Sequence, residues 1–211
     1  MTITSLKYYY NFKGMKILIR IRIFSLLGLI LLVSCEKEKR SLPVDADGNT
    51  YDTVVIGRQV WLSENLKTTK FNVGTLIPLL PENADWTANG SGACCWYEND
   101  INNKDTYGAL YNWYAAQFNT QICPIGYHVS TKEDWLTLIS FLKEATIEIE
   151  QSFNINQVGF RAWDGSFSGS GGCWWIYSND GTPYFIGSLN FEIGYGMPKK
   201  TGFYVRCVKD H

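Results

Sequence analysis

The chain has 211 residues, 45% of them hydrophobic and 15% aromatic, with 19 Lys/Arg against 20 Asp/Glu. That length suits one domain with a substantial core. A chain without net positive charge or a basic patch lacks the means to follow a phosphate backbone, so no nucleic acid is expected as a partner.

From Met15 the sequence reads "MKILIRIRIFSLLGLILLVSC", with Lys16, Arg20 and Arg22 ahead of an apolar run from Phe24 to Val33. The run is shorter than the roughly 20 apolar residues that cross a bilayer comfortably, and it has the layout of a secretory leader. Small Ser34 stands directly before Cys35, and "LVSC" resembles the lipobox of bacterial lipoproteins, in which the cysteine is lipidated after cleavage. The expected division is a signal peptide over 1–34 starting at Met15, a lipidated tether over 35–44, and a domain over 45–211. The expected address is the outer membrane, lipid-anchored through Cys35 and facing the periplasm or the cell surface. Residues 1–34 carry five of the Lys/Arg and no Asp/Glu, so the remainder holds 14 basic and 20 acidic residues, net −6.

In the domain, "DADGNTYDTVVIGRQVWL" opens with the turn signal Asp47-Gly48. Two β-rich runs, Tyr51–Ile56 and Gln59–Leu62, then flank Gly57-Arg58 and predict a hairpin with a two-residue turn. Residues 71–93, with Pro78, Pro81 and two Gly pairs, read as loop. "YGALYNWYAA", Tyr107 to Ala116, predicts a short packed helix from its aromatic spacing. Past Thr131, Trp135, Leu138, Ile139 and Leu142 recur at i, i+3, i+4 and i+7, which predicts a helix ending near Ala145. Ser130 and Glu133 form a capping box before it, and Thr131 with Asp134 could do the same one residue later. Beyond about residue 150, short alternating runs such as "PYFIGSL" and "FYVRCV" predict strands with long loops. The order gives an α+β domain.

"CPIGYHVSTKEDW", Cys123 to Trp135, sets a cysteine and a histidine five residues apart. A nucleophilic cysteine needs its base close by and a third group to orient that base, which this spacing does not supply. In an oxidising compartment a disulfide is the expected use of Cys123, beside Cys94, Cys95, Cys173 and Cys207. His128 reads as a buried, hydrogen-bonded structural residue. "YENDINNKD" offers oxygen ligands at Glu98, Asp100 and Asp105 but lacks the calcium-loop spacing, so a solvated loop is expected. No pair of carboxylates has spacing that selects it for glycoside hydrolysis. No catalytic residue, metal or cofactor is therefore expected. What stands out is "GFRAWDGSFSGSGGCWWIYSNDGTPYF", residues 159–185, whose rings among Gly, Ser, Asn and Asp suit a sugar or peptide surface.

Four ordered motifs carry a resemblance: "DGNTYDTVVIGRQVWLSENLKTTKFNVGT", "YENDINNKDTYGALYNWYAA", "CPIGYHVSTKEDW" and "GFYVRCVKD". Together they resemble the Fibrobacter succinogenes major paralogous domain family, extracytoplasmic domains common in bacterial lipoproteins. The resemblance covers about residues 45–210. It implies a distant likeness to C-type lectin-like and formylglycine-generating-enzyme folds: one domain with two helices, a twisted antiparallel sheet and long loops in the second half. It also implies a disulfide between Cys123 and Cys207, from their places in the flanking motifs. In that fold ligand-binding loops lie in the second half, which points to Trp163, Trp174, Trp175 and Tyr177 as ligand-binding residues. Adjacent Trp174 and Trp175 point to opposite faces of a strand, so one of them is expected to be exposed. The expected function is a lipid-anchored interaction module binding glycan or envelope protein without catalysis. The alternatives are an envelope enzyme acting on polysaccharide and a structural component of a surface assembly.

Overall fold

The computed structural model of the chain describes residues 41–117, 121–144, 159–169, 171–187 and 191–210, together with the backbone of 11–12 and 15–16. The apolar run Phe24–Val33 and Cys35 lie outside the described residues. The chain divides into two compact units, Met1–Arg40 and Ser41–His211. In the first, β1 (Asn11–Phe12) pairs antiparallel with β2 (Met15–Lys16).

The second unit is built around a four-stranded antiparallel sheet. Its strands are β3 (Thr53–Ile56), β4 (Gln59–Leu62), β13 (Cys207–Lys209) and β7 (Tyr127–Val129), in the order β3-β4-β13-β7. The expected hairpin is present, with Ile56 opposite Gln59 across Gly57-Arg58. Alternation sends Trp61 and Leu62 to opposite faces, and each face buries its own cluster. Leu62, Tyr51, Val129, Cys123 and Cys207 belong to one cluster; Trp61, Ile56, Val208, Trp135 and Leu138 belong to the other.

Helix α3 (Lys132–Leu142) covers that second face. Its cap is the box one residue later: Thr131 Oγ1 accepts from the Asp134 amide, and the Asp134 carboxylate accepts from the Thr131 amide. Ser130 is not free for capping because its hydroxyl accepts the Trp135 indole N–H at 2.8 Å. Trp135 stacks tilted against Trp61, with ring centroids 5.0 Å apart, so the helix is held to the sheet by aromatic packing.

Between β4 and β7 the chain makes α1 (Asn83–Ala88), β5 (Cys94–Trp96), two single 3-10 turns, α2 (Lys104–Tyr107) and β6 (Ala109–Tyr111). The helix expected over 107–116 is therefore replaced by a strand paired with β5. Gly108 takes φ +79° at the end of α2, and an added Cβ there would sit 2.7 Å from Asn65, so the chain turns out of helix at that point. Ala109, Leu110 and Tyr111 are all buried, which erases the alternation that would have marked a strand.

The second half contributes a hairpin, β8 (Phe160–Arg161) with β9 (Phe167–Ser168), and a sheet ordered β10-β11-β12. Those three strands are Cys173–Ile176, Tyr184–Gly187 and Ile193–Tyr195. The closing segment joins these parts. Gly202 bridges to Arg161, Phe203 to Tyr111 and Tyr204 to Trp174, before β13 enters the four-stranded sheet. Every residue from 201 to 208 is buried.

Candidate functional site

The cysteine and the histidine of the "CPIGYH" stretch are both occupied. Cys123 forms a disulfide with Cys207, with the two Cα atoms 6.0 Å apart. His128, on β7, has Nδ1 2.8 Å from Asp210 Oδ1 and Nε2 3.0 Å from Asp134 Oδ2. A histidine can donate from both nitrogens only as the imidazolium. The Asp134 hydrogen bond is the main cause of its raised pKa; the Asp210 bond adds to it, and burial opposes it. Burial alone pushes the Asp134 carboxyl up, but hydrogen bonds from His128 and Thr131 outweigh it and hold the group at about 2. The residue thus clamps β7, the start of α3 and the chain end, and offers no free nitrogen to act as a base. A pocket of about 310 Å³ opens beside it, between Asn72, the 121–129 segment and Asp210. Its imidazole and its carboxylate are already bonded to each other.

The remaining thiols are poorly reactive. Burial pushes Cys95 and Cys173 to about 11, and raises Cys94 further. A thiolate, the nucleophilic form, is therefore scarce at neutral pH. The acidic loops serve the backbone. Asp100 accepts the Asn102 amide, Asp45 accepts four bonds from Asp47, Asn49 and Tyr51, and Asp105 faces Lys67 at 3.4 Å. Among the described residues no cluster of three or more His, Cys, Asp or Glu is placed to hold a metal.

The aromatic segment divides sharply. Trp174 and Trp175, expected to expose one ring, are both buried, at 0% and 1% exposure. The expectation assumed one open face, but the β10-β11-β12 sheet has a cluster against each. Trp174 lies against Trp135 at 5.5 Å and donates its indole N–H to Asn65 Oδ1 at 2.8 Å. Trp175 lies against Phe203 at 4.6 Å and donates to the Tyr111 carbonyl at 2.7 Å. They are core residues. Tyr177 is half-buried, with its amide bonded to the Ser130 carbonyl.

Trp163 is the ring that faces solvent, 57% exposed, in the turn of the β8–β9 hairpin. What fixes that turn is Arg161, which sequence reasoning passed over. Its side chain is fully buried, with the guanidinium 4.5 Å from the Trp86 ring and 5.1 Å from the Phe167 ring. It donates to the carbonyls of Gly165, Leu80 and Pro81 and to Asn83 Oδ1 over 2.5–3.1 Å. Gly165 sits at φ +89°, and an added Cβ would lie 2.8 Å from Asn83, so the turn is pressed against the α1 start. Asp164 accepts the amide and hydroxyl of Ser166 within the same turn. The exposed indole thus projects from a turn whose backbone these bonds fix, with Asp164 next to it in the chain. A signal was present in "GFRAWDG", where an arginine interrupts an aromatic run, but its acceptors lie about 80 residues upstream.

Compared with known proteins, residues 54–157 match the family model of the Fibrobacter succinogenes major domain. No curated protein and no solved structure gives a match. The match takes in the β3–β4 hairpin, the Cys94–Trp96 strand, the disulfide cysteine Cys123 and helix α3, and so reaches the first three of the four sequence motifs but not the closing one. Residues 54–157 of the chain therefore carry the Fibrobacter succinogenes major domain.

Proposed function

We propose that the protein is a non-catalytic interaction module of the bacterial envelope. It is anchored in the outer membrane by lipid on Cys35 and binds glycan or protein through the hairpin tip that carries Trp163. The observation that carries this reading is the exposed indole of Trp163 on a hairpin turn whose backbone is hydrogen-bonded by a buried arginine. A turn ordered before binding loses little entropy on contact, and large exposed rings dominate recognition energetics. The saturated His128, the disulfide and the raised thiols supply no general base or nucleophile, which supports binding over turnover. A C-type lectin-like arrangement fits the disulfide between an early cysteine before a helix and a late closing strand. In that arrangement the recognition loops belong to the second half, where the hairpin lies.

The test is a glycan-array and envelope-extract screen of the 41–211 domain, followed by Trp163→Ala. We expect binding to fall by about 2 kcal/mol or more while the circular dichroism spectrum stays unchanged. Undiminished binding by the variant would remove the hairpin as the recognition site. Product formation from a polysaccharide would favour the envelope enzyme instead.

A further inference from the structure

We propose that the disulfide side of the four-stranded sheet is the surface with which the domain lies on the lipid bilayer that holds its tether. The inference rests on the lipid anchor at Cys35. The sheet has two sides: α3 covers one, and Cys123, Cys207 and Tyr51 mark the other. On the second side, two turns and a loop present large apolar side chains to solvent: Val73 is 78% exposed, Leu76 65% and Ile125 88%. Leu42 and Val44, at the point where the tether enters the domain, are also exposed.

Scattered exposed apolar residues need no explanation, but these are connected. Asp47, in the turn after Val44, accepts the Thr69 amide at 2.5 Å and pairs with Lys70 at 3.1 Å. Lys70 bridges to Leu76 across the hairpin whose tip is Val73. Asn72, beside that tip, donates its side-chain amide to the Cys123 carbonyl at 2.7 Å, two residues before Ile125. The tether entry, the hairpin and the 123–126 turn are thus one connected rim. Its central cation and carboxylate neutralise each other, which lowers the cost of entering an interface.

The occupant follows from chain length. Six residue steps separate Cys35 from Ser41. At full extension they reach about 20 Å, against roughly 40 Å for the diameter of a domain this size. The side from which the tether leaves must therefore face the membrane. That side includes Pro43, whose carbonyl accepts the amide of Tyr51. Apolar side chains there can settle at the boundary between headgroups and acyl chains.

The experiment uses the full lipoprotein in vesicles of phosphatidylethanolamine and phosphatidylglycerol doped with spin-labelled lipid. An environment-sensitive fluorophore is attached at Leu76→Cys, or at Ser140→Cys on the exposed side of α3, with labelled wild type setting the background from Cys173. We expect a blue shift and quenching at 76 and neither at 140. Retention on vesicles without quenching at 76, or equal quenching at both positions, overturns the proposed face while leaving the anchor intact. Loss of vesicle retention, with no palmitate on the protein, overturns the anchor and the face together.

Discussion

Replacing Arg161 with Met removes a buried cation and keeps most of the side-chain volume. Four charge-assisted hydrogen bonds are lost, each worth about 1.5–3 kcal/mol when the donor is ionised. The gross loss, about 6–12 kcal/mol, is offset because a buried guanidinium bonded to neutral acceptors carries a desolvation cost of several kcal/mol. Contacts with Trp86 and Phe167 largely survive, since methionine sulfur also packs well against rings. The expected net destabilisation is about 2–4 kcal/mol. Arg161→Lys should do no better, because an ammonium cannot reproduce the planar fork that reaches carbonyls on both sides. Urea denaturation followed by far-ultraviolet circular dichroism measures the change. Hydrogen exchange should show the 160–168 hairpin loosening first, and ligand affinity should fall although Trp163 is intact. An Arg161→Met protein as stable as wild type, with an equally protected hairpin, would refute the claim that this side chain fixes the tip.

Three further outcomes follow from the same geometry. Cys123→Ser opens a loop of 85 residues, counted inclusively over a separation of 84, and should cost up to about 4–5 kcal/mol by the chain-entropy estimate, read as a lower melting temperature. His128 has a pKa raised above its unfolded value, so the clamp contributes fully below about pH 6.5 and is lost as pH rises through the folded pKa. The stability gap between wild type and His128→Gln should therefore narrow from pH 6 to pH 9, and a widening gap would contradict the imidazolium assignment. Trp174→Ala should cost about 3–5 kcal/mol as a core truncation, whereas Trp163→Ala should stay within about 0.5 kcal/mol.

What was legible in the sequence was local. The β3–β4 hairpin followed from alternation around a two-residue turn, and α3 from 3.6-residue spacing, because both patterns are complete within about a dozen residues. The cap moved by one residue because the Ser130 hydroxyl is taken by the Trp135 indole, a contact inside the core. The strand at Ala109–Tyr111 carries no strand signal because both of its faces are buried, Ala109 and Tyr111 in one cluster and Leu110 in the other, and its edge partners β5 and Phe203 lie outside the local window. The burial of Trp174 and Trp175 is hidden from the sequence for the same reason. Strand periodicity correctly sends the two rings to opposite faces, but whether either face is open depends on Trp135 and Phe203, which no local window contains.

The closing segment explains why so much of the candidate site depends on distant sequence. Gly202, Phe203 and Tyr204 each bridge to a different strand, and β13 then separates β4 from β7. Removing 201–209 would unpair β8 from its second neighbour, open the Trp175 face and delete the partner of Cys123. The family match ends at residue 157, yet the strands within it are completed by residues 50 positions further on. The Trp163 tip depends on both parts. Arg161 hydrogen-bonds its backbone to Gly202 and its guanidinium to Leu80, Pro81 and Asn83, so the β8–β9 hairpin is pinned between the matched region and the closing segment. A rigid tip on an otherwise loop-rich half is what this double attachment produces.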